Sequence, residues 1–591
     1  MIAVFGSSVN ALVWSCGYIS RYDWRLIMEV AQREWRVAAK LDPQTEQQLS
    51  TQHPLMRQVL FNRGVRTAAE AERYLQALPP EVNDPFLIKD MALAVDRLVA
   101  AIQKGEHIVV YGDYDADGVT ATALLLDSFG RLGAQVRPYI PNRFEEGYGL
   151  NIEALRTLKE EGADLVVSVD CGIRSLKEAA EARRLKLDLI ITDHHSPGPE
   201  MPDAFAVINT KQPGDEYPEK QLAGVGTAYK LACAVQSSMQ PGAGPDTSLL
   251  DLVALGTVAD MVPLAGENRW MVRNGVARLR QPARQGVWSL MGASGVKPAK
   301  VTAGDIGYLL GPRLNAAGRL ETALNALNLL VSTDLFEAGR LAQYLDSQNR
   351  ERQALTREMT ATAEEIVAAQ SPQDFLLIAA HEQFNPGVVG LVASRLVEKF
   401  YRPAIVAHRG PDFTRASCRS IPELHITDAL QTCADLFTNF GGHAAAAGFT
   451  VPNQHYAEAM QRLQALVGEQ LVSLQLRQVL RADAELPLID LKPELLGLLE
   501  QVEPTGMDNP QVNLVSRGLS VRDARGVGEE GAHLKLKVSD GWITYDAIAF
   551  RQGHWMQNLP PRLDLLYRFE ANEFNGRTSL QLNVRDLRPS D

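Results

Sequence analysis

The sequence predicts an α/β protein: two α/β lobes with parallel-strand sheets joined by a long helix, followed by a small C-terminal β-barrel or sandwich. Three observations predict this architecture. Continuous apolar runs ending in Asp or His recur through the first half, with helical patterns between them. The stretch from Arg340 to Gln370 contains no Gly or Pro and is rich in Ala, Glu, Gln, Arg and Leu. Beyond about residue 475 the pattern changes to short alternating strands and turns, such as "HLKLKVSD", "ITYDAIAF", "LDLLYRFE" and "SLQLNVRDL".

A chain of 591 residues exceeds one hydrophobic core, and three or four domains are expected. We place an N-terminal extension, expected to be poorly ordered, at 1–45, the first lobe at 46–330, the connecting helix at 331–371, the second lobe at 372–470 and the barrel at 471–591. Residues 1–20 carry no charge, but they lack the basic segment of a secretory signal, and Met28 is an alternative initiator. No window has the roughly 20 apolar residues of a membrane span. The net charge of −12, with 46% hydrophobic and 22% charged residues, indicates a globular protein and excludes a histone-like basic one. Contact with nucleic acid then requires local basic patches. The five scattered cysteines form no C-x-x-C pair, which fits a reducing, cytoplasmic setting and argues against structural zinc.

The runs "HIVVYGD", "ADLVVSVDCG" and "LDLIITDHH" are too apolar to have a wet face and read as parallel strands, with helices near Ile152–Glu161 and Leu176–Arg184 between them. In such sheets the carboxyl ends of the strands share the ligand-binding edge. Asp113, Asp115, Asp117, Asp170, Asp193, His194 and His195 should therefore converge. "DYDADG" imitates an EF-hand loop, but position 12 is Leu124 where a bidentate Glu is needed, and a strand precedes it where a helix is needed. Capping a helix that starts near Val119 would use one carboxylate; three crowded carboxylates need a cation. With His194, His195 and Asp170 added, the oxygen and imidazole donors suit manganese or magnesium. Asp260 in "GTVADMVPL" is a further candidate, although a lone buried Asp is more often a satisfied cap.

"GDYDADG", "VDCG", "DHH" and "GTVAD", in this order and spacing, resemble the DHH phosphoesterase superfamily. "GPRLNAAGRL", "NPGVVGLVASRL", "SCRS" and "GGHAAAAGF" resemble its RecJ branch, the single-stranded-DNA-specific exonucleases of bacteria, over about residues 50–585. The resemblance implies that the lobes are of DHH and DHHA1 type and that the barrel is OB-like. It implies that Asp115, Asp117, Asp170, His194 and Asp260 hold two Mn²⁺ or Mg²⁺ ions, with Asp170 as the bridge. Asp113 and His195 would complete the site, His195 facing the scissile phosphate, while Asp193 orients its neighbours. The catalytic set is then Asp170, His194 and His195.

Phosphate-gripping candidates are separate. In "GGHAAAAGF", Gly441, Gly442 and His443 would open an Ala-rich helix whose backbone N–H groups bind an anion; the alternative is a tight glycine turn before a packing helix. Ser417 and Arg419 share one side of an extended segment, which the resemblance places near the 5′ end of the strand. Arg313, Asn315 and Arg143 add further contacts, whereas Arg319 reads as a surface ion pair. In "HLKLKVSD", His533, Lys535 and Lys537 alternate with apolar residues to give one cationic face, and Trp542, Tyr545 or Phe574 would stack on bases.

The activity implied is processive 5′→3′ hydrolysis of single-stranded DNA to mononucleotides in repair and recombination. Single-stranded DNA is the expected substrate, with a single-strand-binding protein and a RecQ-type helicase as partners and no membrane contact. Two alternatives stay open: a superfamily enzyme for short oligoribonucleotides, cyclic dinucleotides or pyrophosphate, and a catalytically dead strand-binding scaffold.

Overall fold

A computed structural model describes residues 33–590 except 144, 145, 371–373 and 575. The uncharged opening segment and Met28 lie outside the described residues, whereas Glu34–Val37 is a strand and Pro43–Gln48 a helix. The chain divides into two compact units, one of Trp35–Arg352 with Arg481–Asp591, the other of Gln353–Leu480 with residues up to Glu34.

The larger unit contains a five-stranded, all-parallel sheet ordered Gln135–Tyr139, His107–Gly112, Leu165–Val169, Asp188–Thr192, Ala206–Ile208. The chain order reverses between the second and third of these strands, and ligands of open α/β sheets bind at such a reversal. Val109, Val110, Val166, Val167, Ile190 and Ile191 are all buried, so the apolar runs are covered on both faces. The helix after the first strand spans Ala116–Arg131 and starts three residues before the expected Val119. Asp115 sets that start: its side chain accepts the Asp117 and Gly118 N–H groups at 2.9 and 3.2 Å.

The long helix runs Leu335–Ala368, about 50 Å. It begins earlier than the Gly-free stretch because Asp334 accepts the Glu337 N–H at 2.7 Å. Its first turns bury Ala338, Leu341, Ala342 and Leu345 in the core of the larger unit. Its last turns bury Met359, Ala363 and Val367 in a core of the smaller one.

The smaller unit has a five-stranded sheet ordered Asn439–Gly442, Ala446–Pro452, Phe413–Arg419, Ala404–Arg409, Leu377–His381. Its last two strands are parallel, with the helix Val389–Phe400 between them in sequence; the others pair antiparallel. The Ala-rich segment is a strand, and this corrects the expected helix. Ala447, Phe449 and Val451 alternate inward, and all seven residues from Ala446 to Pro452 pair with Phe413–Arg419. Pairing with a neighbour overrides the helical preference of a four-alanine run flanked by glycines.

The C-terminal strands Leu514–Val527, His533–Ser539, Thr544–Ala549, Arg577–Pro589 and Arg562–Phe574 close into a barrel through pairing of the first with the last. Leu534, Leu536 and Val538 point inward, with Lys535 half-buried and Lys537 exposed on the other face. Tyr545 is in the barrel core, its hydroxyl donating to the Leu491 carbonyl, which removes it from the stacking candidates. Trp542 is 85% exposed; the side chain of Phe574 lies outside the described residues.

The barrel is docked on the first lobe by a buried arginine. Arg269 donates to the carbonyls of Tyr74, Gln501, Val502 and Pro504 at 2.9–3.3 Å and lies 4.0 Å over the Tyr74 ring. Leu55, Met56 and Val59 of the helix Pro54–Asn62 join the barrel's hydrophobic core.

Candidate metal centre and phosphate-binding residues

Each acidic motif ends a strand of the parallel sheet or caps a helix beside it. Asp113 follows His107–Gly112, Asp170 follows Leu165–Val169, and Asp193 to His195 follow Asp188–Thr192. Asp260 caps the C-terminus of the helix Leu250–Ala259. Three overlapping groups could each hold an ion, with donor atoms within 4.8 Å of one another: Asp170, His194 and His195; Asp117, His194 and Asp260; Asp113, Asp115 and Asp170. The structure thus gathers these seven predicted residues. His194 Nε2 lies 3.1 Å from Asp170 Oδ1, 3.6 Å from Asp260 Oδ2 and 3.9 Å from Asp117 Oδ2.

The site is short of positive charge. Asp113 Oδ1, Asp170 Oδ1 and both ring nitrogens of His194 are buried without a hydrogen-bond partner among the described residues. Orphaned buried donors and acceptors are rare and need an explanation. Burial, then Asp115, pushes the Asp113 carboxyl far above the ordinary carboxylate range, and burial, then Asp117, does the same to Asp170. For Asp117 burial and Asp115 raise the value to about 7, and for Asp260 burial and Asp117 raise it to about 9. Burial lowers His194 to about 3, so its imidazole is neutral and able to act as a ligand. Carboxylates that resist ionising alone would ionise around a cation, and this donor set fits divalent manganese or magnesium.

Surrounding groups fix these side chains. Asp117 accepts the Gly224 and Val225 N–H groups at 2.6 and 2.8 Å, at the start of the helix Gly224–Met239. Asp193 accepts four bonds, from the N–H groups of Ile173, His194 and His195 and from His195 Nδ1 at 2.8 Å. Burial alone would raise Asp193; the His195 bonds outweigh it and hold the carboxyl below its usual value. Burial alone would lower His195, and Asp193 outweighs it to raise the imidazole. Asp193 therefore orients His195, as expected from its place in "DHH".

The helix Gly311–Leu320, carrying "GPRLNAAGRL", supports the acid loop. Asn315 Oδ1 accepts the Ala116 N–H at 2.7 Å, and a Cβ on Gly318 would lie 2.4 Å from the Tyr114 carbonyl oxygen. Arg313 points elsewhere, pairing with Asp346 of the long helix and donating to the Leu309 carbonyl. Arg143 lies 4.9 Å over the Tyr114 ring and lowers the cost of ionising Asp113. Arg319 ends the same helix, half-buried near Tyr114.

Sequence reading missed two neighbours. Tyr148 is 56% exposed, donates to the Asp170 carbonyl at 3.3 Å and stands edge-on to the His195 ring at 6.2 Å. Its place in "PNRFEEGYG", five residues after Arg143, was the available signal. Lys211 donates to the His194 carbonyl at 2.6 Å and carries no such signal.

In the smaller unit, Ser417 and Arg419 share one side of their strand, with Arg419 NH1 donating to Ser417 Oγ at 3.1 Å and to the Cys418 carbonyl at 2.8 Å. Burial lowers the Arg419 guanidinium, and no carboxylate pairs with it among the described residues. A Cβ on Gly390, in the first turn of Val389–Phe400, would lie 2.9 Å from Ser417 Oγ and 3.0 Å from Arg419, so backbone closes directly over the pair. Ala446 sits opposite Arg419 and Gly448 opposite Ser417, which joins the two motifs. Gly441, Gly442 and His443 are exposed on the hairpin, where His443 N–H donates to the Ala446 carbonyl at 2.8 Å.

Comparison with known proteins agrees with this geometry. Family models match as "DHH family, N-terminal domain" over residues 107–257, "DHHA1 domain" over 373–473 and "RecJ OB domain" over 482–586. The single-stranded-DNA-specific exonuclease RecJ of Bacillus subtilis is 40% identical over 91% of this chain and 68% of its own length. That of Salmonella typhimurium is 38% identical over 91% of this chain and 96% of its own. The crystal structure of RecJ in complex with Mn²⁺ from Thermus thermophilus superposes with a TM-score of 0.82 at 29% identity, covering 94% of this chain and 80% of that one. With its motifs, fold and acid cluster in agreement, this chain belongs to the RecJ family of single-stranded-DNA-specific exonucleases.

Proposed function

We propose that the protein is a divalent-metal-dependent 5′→3′ exonuclease that hydrolyses single-stranded DNA to 5′-mononucleotides during DNA repair and recombination. The observation that carries this reading is the set of buried, unpartnered oxygens and imidazole nitrogens of Asp113, Asp170 and His194 at the reversal point of the sheet. Asp113, Asp115, Asp117, Asp170, His194 and Asp260 would hold two Mn²⁺ or Mg²⁺ ions. Bound ions of this kind polarise the phosphoryl group and acidify the attacking water. His195, held by Asp193, would face the scissile phosphate, and Asp170, common to two of the ligand groups, would bridge the ions. Arg143 would neutralise phosphate charge at the mouth, and Ser417 with Arg419 would grip the 5′ end. Gly441, Gly442 and His443 would line that grip, while Arg313 and Asn315 would act on the strand through the elements they fix.

On this reading the chain comprises an extension to residue 45, a catalytic DHH domain at 46–330, a connecting helix at 331–371, a DHHA1 domain at 372–470 and an OB-like domain at 471–591; the family-model matches fall inside the three named domains, save that the DHHA1 match runs three residues past 470. Among the described residues no helix is long and apolar enough to cross a membrane. A cytoplasmic enzyme working with a single-strand-binding protein and a RecQ-type helicase fits the substrate.

Incubation with end-labelled single- and double-stranded DNA, with and without Mn²⁺, tests the proposal. Loss of label from the 5′ end of single strands only, dependent on Mn²⁺, is expected. Persistence of both substrates would leave a strand-binding scaffold, and preference for dinucleotides would favour the small-substrate relatives.

A further inference from the structure

The backbone of the adjacent histidines is held from two sides, and the second hold comes from a segment outside their motif. Asp193 Oδ1 accepts the N–H groups of His194 and His195 at 2.7 and 3.0 Å. Their carbonyls are met by the segment that follows the strand Ala206–Ile208: Lys211 Nζ donates to the His194 carbonyl at 2.6 Å, and Asn209 Nδ2 to the His195 carbonyl at 2.9 Å. That segment is itself fixed. Ile191 and Thr192 pair with Val207 and Ile208, and the Asp193 N–H continues the ladder to the Ile208 carbonyl at 3.0 Å. Asn209 is fully buried, its Oδ1 accepts the Lys211 N–H at 2.8 Å, and its carbonyl accepts the Gln212 N–H at 3.1 Å. The Lys211 stem therefore leaves a turn that cannot drift.

The two imidazoles differ in what else holds them. The His195 ring is tied to Asp193 through Nδ1. Neither ring nitrogen of His194 has a hydrogen-bond partner among the described residues, and the Leu222 backbone acts on that ring only weakly. A metal-bound histidine is ordinarily oriented by a carboxylate or carbonyl on its second ring nitrogen. With that device missing, the direction of the His194 ring depends on where its backbone is pinned. Lys211 suits a tether better than a counter-charge: its ammonium makes no ion pair among the described residues, and Asp260 and Asp193 act on it from beyond that distance.

We propose that Lys211 is a positioning residue that pins the His194 carbonyl and thereby holds the His194 imidazole in the ion-binding group it forms with Asp117 and Asp260. The group of Asp113, Asp115 and Asp170 contains no histidine and does not depend on this tether. The inference rests on the two-ion reading above and adds to it a residue that acts through a ligand.

The test is isothermal titration calorimetry of the metal-free full chain with Mn²⁺, beside cleavage of single-stranded DNA over a range of Mn²⁺ concentration. In Lys211→Met, which keeps the stem and removes the donor, one Mn²⁺ affinity should fall about 10- to 100-fold while the other stays parental. Cleavage should then recover as Mn²⁺ is raised, so that the loss falls on the metal requirement and not on kcat. Lys211→Arg, which keeps a cationic donor, should bind both ions as the parent does. Parental binding in Lys211→Met, tighter binding that marks a repelling charge, equal weakening of both sites that marks a general loss of fold, or a Lys211→Arg variant as weak as Lys211→Met would each overturn the tether. A parent protein that binds no Mn²⁺ refutes the metal-dependent reading together with the tether, whereas a parent that binds two ions beside an unaffected Lys211→Met refutes the tether alone.

Discussion

Where the strands of the parallel sheet end, five carboxylates and two imidazoles crowd together; where Phe413–Arg419 pairs with Ala446–Pro452, a half-buried guanidinium donates, among the described residues, to a hydroxyl and a carbonyl. In the first region carboxylates outnumber the nearby cations Arg143, His195 and Lys211, and in the second the described residues place no carboxylate on the guanidinium. Both are built on sheets with buried inner faces, so neither can relax by letting its charged groups swing into water. On the proposed reading each region is completed by an outside partner, a divalent cation for one and a phosphate for the other.

The comparison breaks most visibly if the acid cluster can lose its shared ligand. Asp170→Ala should reduce cleavage by about 1000-fold or more, since metal-derived stabilisation of the transition state is worth several kcal/mol, while single-strand binding persists. Normal turnover in a gel assay of labelled DNA would remove Asp170 from its bridging place. At the other region, Arg419→Ala should raise KM for 5′-phosphorylated DNA by about 10- to 100-fold, the worth of one charge-assisted hydrogen-bond set, with a much smaller change for 5′-hydroxyl DNA. An equal effect on both ends would dissociate Arg419 from phosphate.

A titration of stability sharpens the contrast. Asp117 and Asp260 bind protons more tightly folded than unfolded, with values raised to about 7 and about 9. In metal-free protein the stability they contribute is full below the ordinary carboxylate value and is lost as pH rises through the raised ones. Metal-free protein should therefore melt at lower temperature near about pH 9 than near about pH 7, and the gain on adding Mn²⁺ should be larger at the higher pH. A metal-induced shift in melting temperature that is flat across this range would contradict the assignment. The smallest effect is expected for Asn315→Ala, which frees the Ala116 N–H and should cost about 1 kcal/mol in denaturant unfolding together with a modest loss of Mn²⁺ affinity.

Much of the metal centre was legible because its residues lie in short motifs at strand ends, and parallel topology sends those ends to one edge. Asp260 was weaker as a signal because it arrives on a helix. The Ala-rich strand was misread since composition favoured a helix, while the decisive partner, Phe413–Arg419, lies well upstream. Arg313 looked like a phosphate ligand by motif, yet Asp346 holds it. Tyr545 fitted a stacking role by type, and only the barrel's curvature reveals that it faces inward. Arg269 was invisible, since its acceptors are backbone carbonyls in distant segments, those of Gln501, Val502 and Pro504 more than two hundred positions away.

The helix Pro54–Asn62 lends Leu55, Met56 and Val59 to the barrel's hydrophobic interior. On the ribosome this helix emerges long before the strands that cover it, and at typical elongation rates its apolar side waits roughly 20 to 90 seconds for them. The consequence is an apolar helix face left uncovered through most of synthesis, and a barrel fragment made without that helix would be prone to aggregate.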